Sequence, residues 1–248
     1  MRNLIFVLFT FLACGSPYAE SREWTTLDGR SFKAEFSLRM GSDAVFKTEQ
    51  GKQVRIPVDQ LSRMDQKFIM LENPPKLEMS FSRTTDKRRY PVGYNGNETK
   101  NPTAFYNQFM VKIRQRSAGE YNLPLHLEYF VIGEEVDGDN YILLDHQELD
   151  FTLTTKNKRT YVAQGDPVQI INYTWIEKVG SPLVMERGEK YGRYLVIITD
   201  TRGDVVAYRT PSDWLFDVAE NLRTVPVNRH FDKTGTRVGP PRPPTRHY

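Results

Sequence analysis

The period of the apolar residues constrains this chain most. From Arg22 onward, short runs place an apolar residue at every second position, and turn pairs cut one run from the next. Phe32, Ala34, Phe36 and Leu38 alternate with Lys33, Glu35 and Ser37, which makes one face apolar and the other polar. Ala44 and Phe46 continue the alternation, and Val54, Ile56 and Val58 line a further strand ended around Pro57. Asp28-Gly29 and Gln50-Gly51 supply the turns between these runs. The period changes at Leu61-Ser62-Arg63-Met64-Asp65, which reads as a helix start: Ser62 can cap it, and Asp65 favours its positive end. The stretch Arg22 to Leu61 therefore predicts a complete small β-barrel module.

Trp24, Thr25, Gly29, Phe32, Ala34, Glu35, Phe36, Gly51, Lys52, Val54, Pro57, Leu61, Ser62, Asp65 and Phe68 together resemble the Sla-type homology domain, a Src-homology-3-like barrel. The resemblance covers roughly residues 21–73, under a quarter of the chain. It implies a module that binds peptides rather than one that does chemistry. In the fungal endocytic adaptor where it was first described, the domain binds Asn-Pro-Phe-x-Asp sorting peptides, and similar domains occur in secreted proteins of planctomycete-type bacteria. In eukaryotes the family carries ubiquitin, clathrin-adaptor and cytoskeletal associations, which we do not carry over to an exported, bacterial-looking chain. The ligand groove of such barrels lies between loops and is lined by aromatic residues. Trp24, Phe46 and Lys52 are the candidate ligand contacts on that basis. The competing reading is that Trp24 and Phe36 simply fill a small core.

The first residues carry a targeting signal. Met1-Arg2-Asn3 precedes about ten nearly unbroken apolar residues, Leu4 to Ala13. A basic start and an apolar run of that length form a secretory signal, too short to span a bilayer. Cleavage after Ala19 would define a signal peptide over 1–19 and place the mature protein in the periplasm, at the cell surface or in the medium. The only cysteine, Cys14, follows Leu12-Ala13 and resembles a bacterial lipobox. In that alternative Cys14 is lipidated and anchors the protein to a membrane. Either way no internal disulfide can form, and apolar cores alone must hold the fold.

Glu72-Asn73-Pro74-Pro75-Lys76 reads as a linker, since proline stops a helix and two prolines make a stiff spacer. Residues 77–222 are then rich in short strands, beginning with Leu77 to Ser82, with Asp86 to Pro102 read as a polar loop. Seven or eight strands without crossover helices predict an antiparallel β-sandwich, with immunoglobulin-like the nearest label. Pro211-Ser212-Asp213-Trp214 begins a short C-terminal helix, with Ser212 as a plausible cap, expected on the end or edge of the sandwich. The region 224–248, with Pro226, Pro240, Pro241, Pro243 and Pro244 among arginines, is expected to be a disordered Pro/Arg-rich tail.

Chemistry is hard to find. His126, His146, His230 and His247 are the only histidines, and no two have the close chain spacing of a zinc site, so no metal and no cofactor is expected. Asp137-Gly138-Asp139-Asn140 departs from a calcium loop at its fifth and sixth positions, Tyr141 and Ile142. Glu134-Glu135 and Asp145-Glu148-Asp150 read as solvated acidic clusters, and catalytic signatures of hydrolases and nucleotide-binding loops are absent from the sequence. Basic runs at Asp86–Tyr90 and Lys156–Arg159 would suit an anionic partner, but a formal charge of +3 with interspersed signs argues against nucleic acid.

The expectation is an all-β protein: a small Src-homology-3-like barrel, then an immunoglobulin-like sandwich with a short helix. Its expected role is a non-enzymatic protein- or peptide-binding adaptor or scaffold outside the cytoplasm. The alternative is an envelope- or carbohydrate-binding sandwich with the barrel as an accessory. For that reading Tyr129, Tyr141, Tyr173 and Trp175 are available as a row of exposed rings.

Overall fold

The computed structural model describes residues 21–89, 103–177 and 183–239. The expected leader with Cys14, most of the expected loop before Pro102 and the last prolines of the tail lie outside these residues. The chain divides into two compact units between Asn73 and Pro74.

In the first unit, β1 (Arg22–Thr25), β2 (Ser31–Met40), β3 (Asp43–Thr48) and β4 (Gln53–Pro57) form an antiparallel meander in that order. A single 3-10 turn, Val58–Gln60, leads into α1 (Arg63–Glu72). Gly29 and Gly51 sit at the predicted turns with φ of +84° and +76°, a left-handed conformation that favours glycine. Trp24, Ala34, Ala44, Phe46, Leu61 and Ile69 are buried together, with Phe32, Phe36 and Phe68 packed around them. Trp24 meets Phe46 edge-on at 4.7 Å, a favourable arrangement for two aromatic quadrupoles. The expected barrel is corrected to an open sheet. The chain leaves β4 as a turn and a helix rather than as a further full strand, so on that side the backbone meets the β1 end through an isolated Thr26–Leu61 bridge and the bonds Ser62 N–H to Thr25 O and Leu27 N–H to Gln60 O.

Ser62 caps α1 as its sequence predicts, accepting the Asp65 N–H at 3.2 Å. Asp65 does more than complement the helix dipole. It is buried, its carboxylate accepts the Thr25 N–H at 2.9 Å and the Arg22 guanidinium at 2.6 Å, and that guanidinium lies over the Phe68 ring.

The second unit contains β5 (Leu77–Arg89), β6 (Thr103–Gln115), β7 (Tyr121–Glu135), β8 (Tyr141–Leu153), β9 (Thr160–Gln164), β10 (Val168–Glu177), β11 (Leu183–Thr199) and β12 (Val205–Arg209), then α2 (Trp214–Asp217), α3 (Ala219–Thr224) and β13 (His230–Phe231). All pairings are antiparallel, in the order β13-β8-β7-β11-β10-β6-β5, with β12 beside β11 and β9 beside β6. The long strand β11 pairs with β10 through Leu183–Gly188 and with β7 through Glu189–Thr199, so it belongs to both layers of the sandwich. The layers face each other through large rings. Phe81 stacks on Tyr194 at 4.1 Å, Phe109 packs on Tyr191 at 5.4 Å, and Phe151 stacks on Tyr161 at 4.7 Å.

The opposite face of the β7–β8–β11 layer is also covered. Leu215, Ala219, Leu222, Val225 and Phe231 pack there against Phe130, Ile132, Leu143, Leu195 and Ile197. This explains why Tyr129 to Ile132 is apolar without alternation: residues pointing both ways are buried.

Four expectations change. The helices lie on a sheet face, not on an end or edge, because Leu215 and Leu222 complete the core there. Ser212 is not the cap; Asp213 precedes α2 without a capping side chain, while the Ser212 hydroxyl accepts from Arg193 at 3.3 Å. β5 extends to Arg89 because its ladder with β6 continues to the pair Arg89–Thr103, so Asp86 opens no loop. The expected disorder from 224 does not hold over 224–239: Val225 and Phe231 are buried, and Asn228 and Arg229 exchange backbone bonds with Leu143.

Candidate functional site

Within the first unit the proposed ligand contacts separate. Trp24 and Phe46 are completely buried, and the Trp24 indole N–H is consumed by the Ala34 carbonyl at 2.9 Å. Neither can touch a ligand, and both are corrected to core residues. Lys52 is exposed in the β3–β4 turn, where its carbonyl accepts the Thr48 N–H. A different surface is built along β2. Its first residues, Ser31–Ala34, pair with β1, while Ala34–Met40 pair with β3. On the β1 side, among the described residues, no strand pairs with Glu35–Met40. Leu38 and Met40 on this segment are 45% and 52% exposed, just past a register shift after Phe36.

The second unit carries a polar stripe on the helix-facing side of β7 and β8. Antiparallel register sets His126 opposite Asp150, Glu128 opposite Glu148 and Phe130 opposite His146. The stripe runs outward from the core: the His146 ring stacks on buried Phe130 at 4.3 Å, while Glu148 and Asp150 are exposed. Arg223 of α3 reaches back over it, its Nη2 at 2.7 Å from Glu128 Oε2 and its Nε at 3.0 Å from Oε1. His146 Nε2 lies 3.1 Å from Oε1 of the same carboxylate. Burial alone would raise the Glu128 pKa, but the bonds to His146 and Arg223 outweigh it and hold the carboxyl down to about 2. The Arg223 guanidinium is raised in turn by the same carboxylate. Farther out, His126 Nδ1 is 2.9 Å from Asp150, and its Nε2 is 4.0 Å from Glu148.

His230 makes a second, looser group, with Nε2 at 3.6 Å from buried Glu135 and 3.8 Å from Glu189. Burial raises the Glu189 pKa, His230 opposes the rise, and Glu135 adds to it.

The ring row expected for a glycan-binding face is not assembled. Tyr129 is fully buried, and its hydroxyl points at Asp145 inside the unit, where burial raises the pKa of both groups. Tyr141 packs between Trp214 and Phe231, and Tyr173 and Trp175 lie outside the described side chains. The basic run Lys156–Arg159 forms a tight turn pinned by Asn157, and the run at Asp86 is an ordinary strand with Arg88 paired to Asp86. An open depression of about 480 Å³ beside Leu77, Met79 and Tyr208 is lined by charges that are already paired, Arg116 with Glu78 and Arg209 with the Met79 carbonyl. No described helix is long and apolar enough to cross a membrane.

No family model matches the sequence, and no curated protein does. A solved structure, described only as a crystal structure from Akkermansia muciniphila, aligns over 56% of this chain and 72% of its own at 15% identity, with a TM-score of 0.22. That similarity is too low to inform fold or function.

Proposed function

We propose that this is an exported, non-enzymatic binding protein whose first unit captures an extended segment of a protein or peptide partner along the open edge of β2. The observation carrying this reading is that, among the described residues, no strand lies on the β1 side of Glu35–Met40, where Leu38 and Met40 are exposed. A free edge offers main-chain hydrogen bonds to any extended chain, and alternate side chains supply the selectivity. The apolar leader Leu4 to Ala13 supports export, with Cys14 as the lipid attachment point in the anchored form. The resemblance of residues 21–73 to the Sla-type homology domain supports a peptide-binding adaptor or scaffold of the periplasm or cell surface.

An unbiased peptide-display selection against residues 20–248 tests the reading. A convergent motif is expected, with binding lost in Leu38→Lys and Met40→Lys and kept in Lys52→Ala. A motif resembling Asn-Pro-Phe-x-Asp would tie the module to its family. No convergent motif, or one indifferent to both lysine substitutions, would remove the edge as the binding surface.

A further inference from the structure

The outer half of the β7–β8 stripe has an unusual charge arrangement. Glu128 at its inner end is neutralised by Arg223. Glu148 and Asp150, by contrast, have only imidazole partners among the described residues: Glu148 lies between His126 and His146, and Asp150 sits against His126. Two carboxylates and two imidazoles therefore converge where neither carboxylate has a lysine or arginine beside it among the described residues.

The distances suit a single ion. Donors around a tetrahedral transition metal with bonds of about 2.0–2.1 Å stand about 3.4 Å apart. Glu128 Oε1 is 3.1 Å from His146 Nε2, which is 3.6 Å from Glu148 Oε1. One donor atom from each of Glu128, His146 and Glu148 lies within 4.8 Å of the others. His126 Nε2 stands 4.0 Å from the second Glu148 oxygen, on the same face of β7 and β8, which makes it the candidate fourth donor. The Asp150 carboxylate on His126 Nδ1 also prepares that ring for an ion. It fixes the tautomer that leaves the Nε2 lone pair outward, as carboxylates do behind metal-bound histidines.

We propose that Glu128, His126, His146 and Glu148 bind one divalent transition-metal ion of the zinc class, with Asp150 positioning His126 and Arg223 fixing Glu128 through both of its carboxylate oxygens. The two ligand carboxylates balance the charge of the ion, and Asp150 balances Arg223. Two imidazole donors select against calcium and magnesium, which take oxygen ligands in greater number. His146 and Glu148 are 18% and 57% exposed in their side chains, so an ion reaches the site from solvent without opening the core.

The exported chain, stripped with chelator and free of any affinity tag, is dialysed against zinc at neutral pH, and bound metal and affinity are measured by elemental analysis and calorimetry. One equivalent is expected, with cobalt giving the visible absorption of a tetrahedral ion and neither calcium nor magnesium competing. His146→Ala and, independently, Glu148→Gln should abolish stoichiometric binding, and Asp150→Asn should weaken it by roughly 10–100-fold. Glu148 is exposed, so its variant tests the site even if the His146 variant fails to fold. His230→Ala should bind as the parent does. Substoichiometric zinc, or an equivalent that survives Glu148→Gln and His126→Ala together, overturns the proposal and leaves the stripe as ion pairs alone.

Discussion

Arg223 holds Glu128 by both carboxylate oxygens, closing α3 onto the β7–β8 face through a contact that spans 95 residues of chain. The Glu128 side chain is only 6% exposed, so its charge depends on partners rather than on water. Arg223→Met removes the guanidinium and leaves the buried carboxylate with His146 as its remaining partner, which is expected to destabilise the second unit by about 3 kcal/mol. The double variant with Glu128→Gln should cost less than the sum of the two single changes. Urea unfolding of the four proteins measures the coupling.

Acid should weaken the same contact in a defined window. The Glu128 pKa is depressed in the folded chain, from an ordinary 4.5 to about 2. Its contribution is therefore complete above pH 4.5 and disappears as pH falls toward 2. That depression corresponds to about 3 kcal/mol at neutral pH. Melting temperature followed from pH 6 to pH 2 should fall more gently in Glu128→Gln than in the parent chain.

In the first unit Asp65 joins the helix cap to the first strand. Asp65→Ala leaves the Thr25 N–H and the Arg22 guanidinium without their acceptor, and a loss of about 3 kcal/mol is expected. Ser62→Ala removes the cap and one hydroxyl bond to the Asp65 carboxylate, leaves the bonds of that carboxylate to Thr25 and Arg22, and should cost about 1 kcal/mol. Asp65→Ala falling no further than Ser62→Ala in chemical denaturation would show that the buried carboxylate adds nothing beyond the cap.

Trp24 and Lys52 should separate cleanly. Truncating the fully buried Trp24 to alanine is expected to cost about 3–5 kcal/mol, while Lys52→Ala should leave stability unchanged. Tryptophan fluorescence and denaturation of the two variants distinguish core from surface.

Gly165 lies where a side chain cannot fit. A Cβ there would stand 2.5 Å from Asp145 Oδ2 and 2.6 Å from the Tyr129 hydroxyl. Gly165→Ala should destabilise the second unit by about 1–3 kcal/mol. Hydrogen exchange near Tyr129 would show the disturbance first.

The alternation of residues 32–36 and the turns at Gly29 and Gly51 were legible because period and turn chemistry are local properties, whereas Leu38, expected on the same apolar face, is turned outward past the register shift after Phe36. So was the Ser62 cap. The open sheet was not, since closure depends on where the chain goes after Pro57. The role of Trp24 was equally hidden, because an indole in a small β module suits a groove or a core, and only burial decides. The stripe was invisible for a different reason. His126 and His146 are distant in the chain, and the β7–β8 register alone sets His126 and Glu128 facing Asp150 and Glu148. Solvated acidic residues and ion-binding residues look alike until their cross-strand neighbours are known. Val225 and Phe231 were missed because two isolated apolar residues among prolines carry no periodic signal, although each fills a place in the core.

β11 runs through both layers of the sandwich. A spine shared in this way ties the fate of one half to the other: peeling β10 away strips a partner from the strand that β7 also needs. The second unit should therefore lose its two layers in one concerted step, leaving no half-structured survivor whose bare strands could recruit another chain.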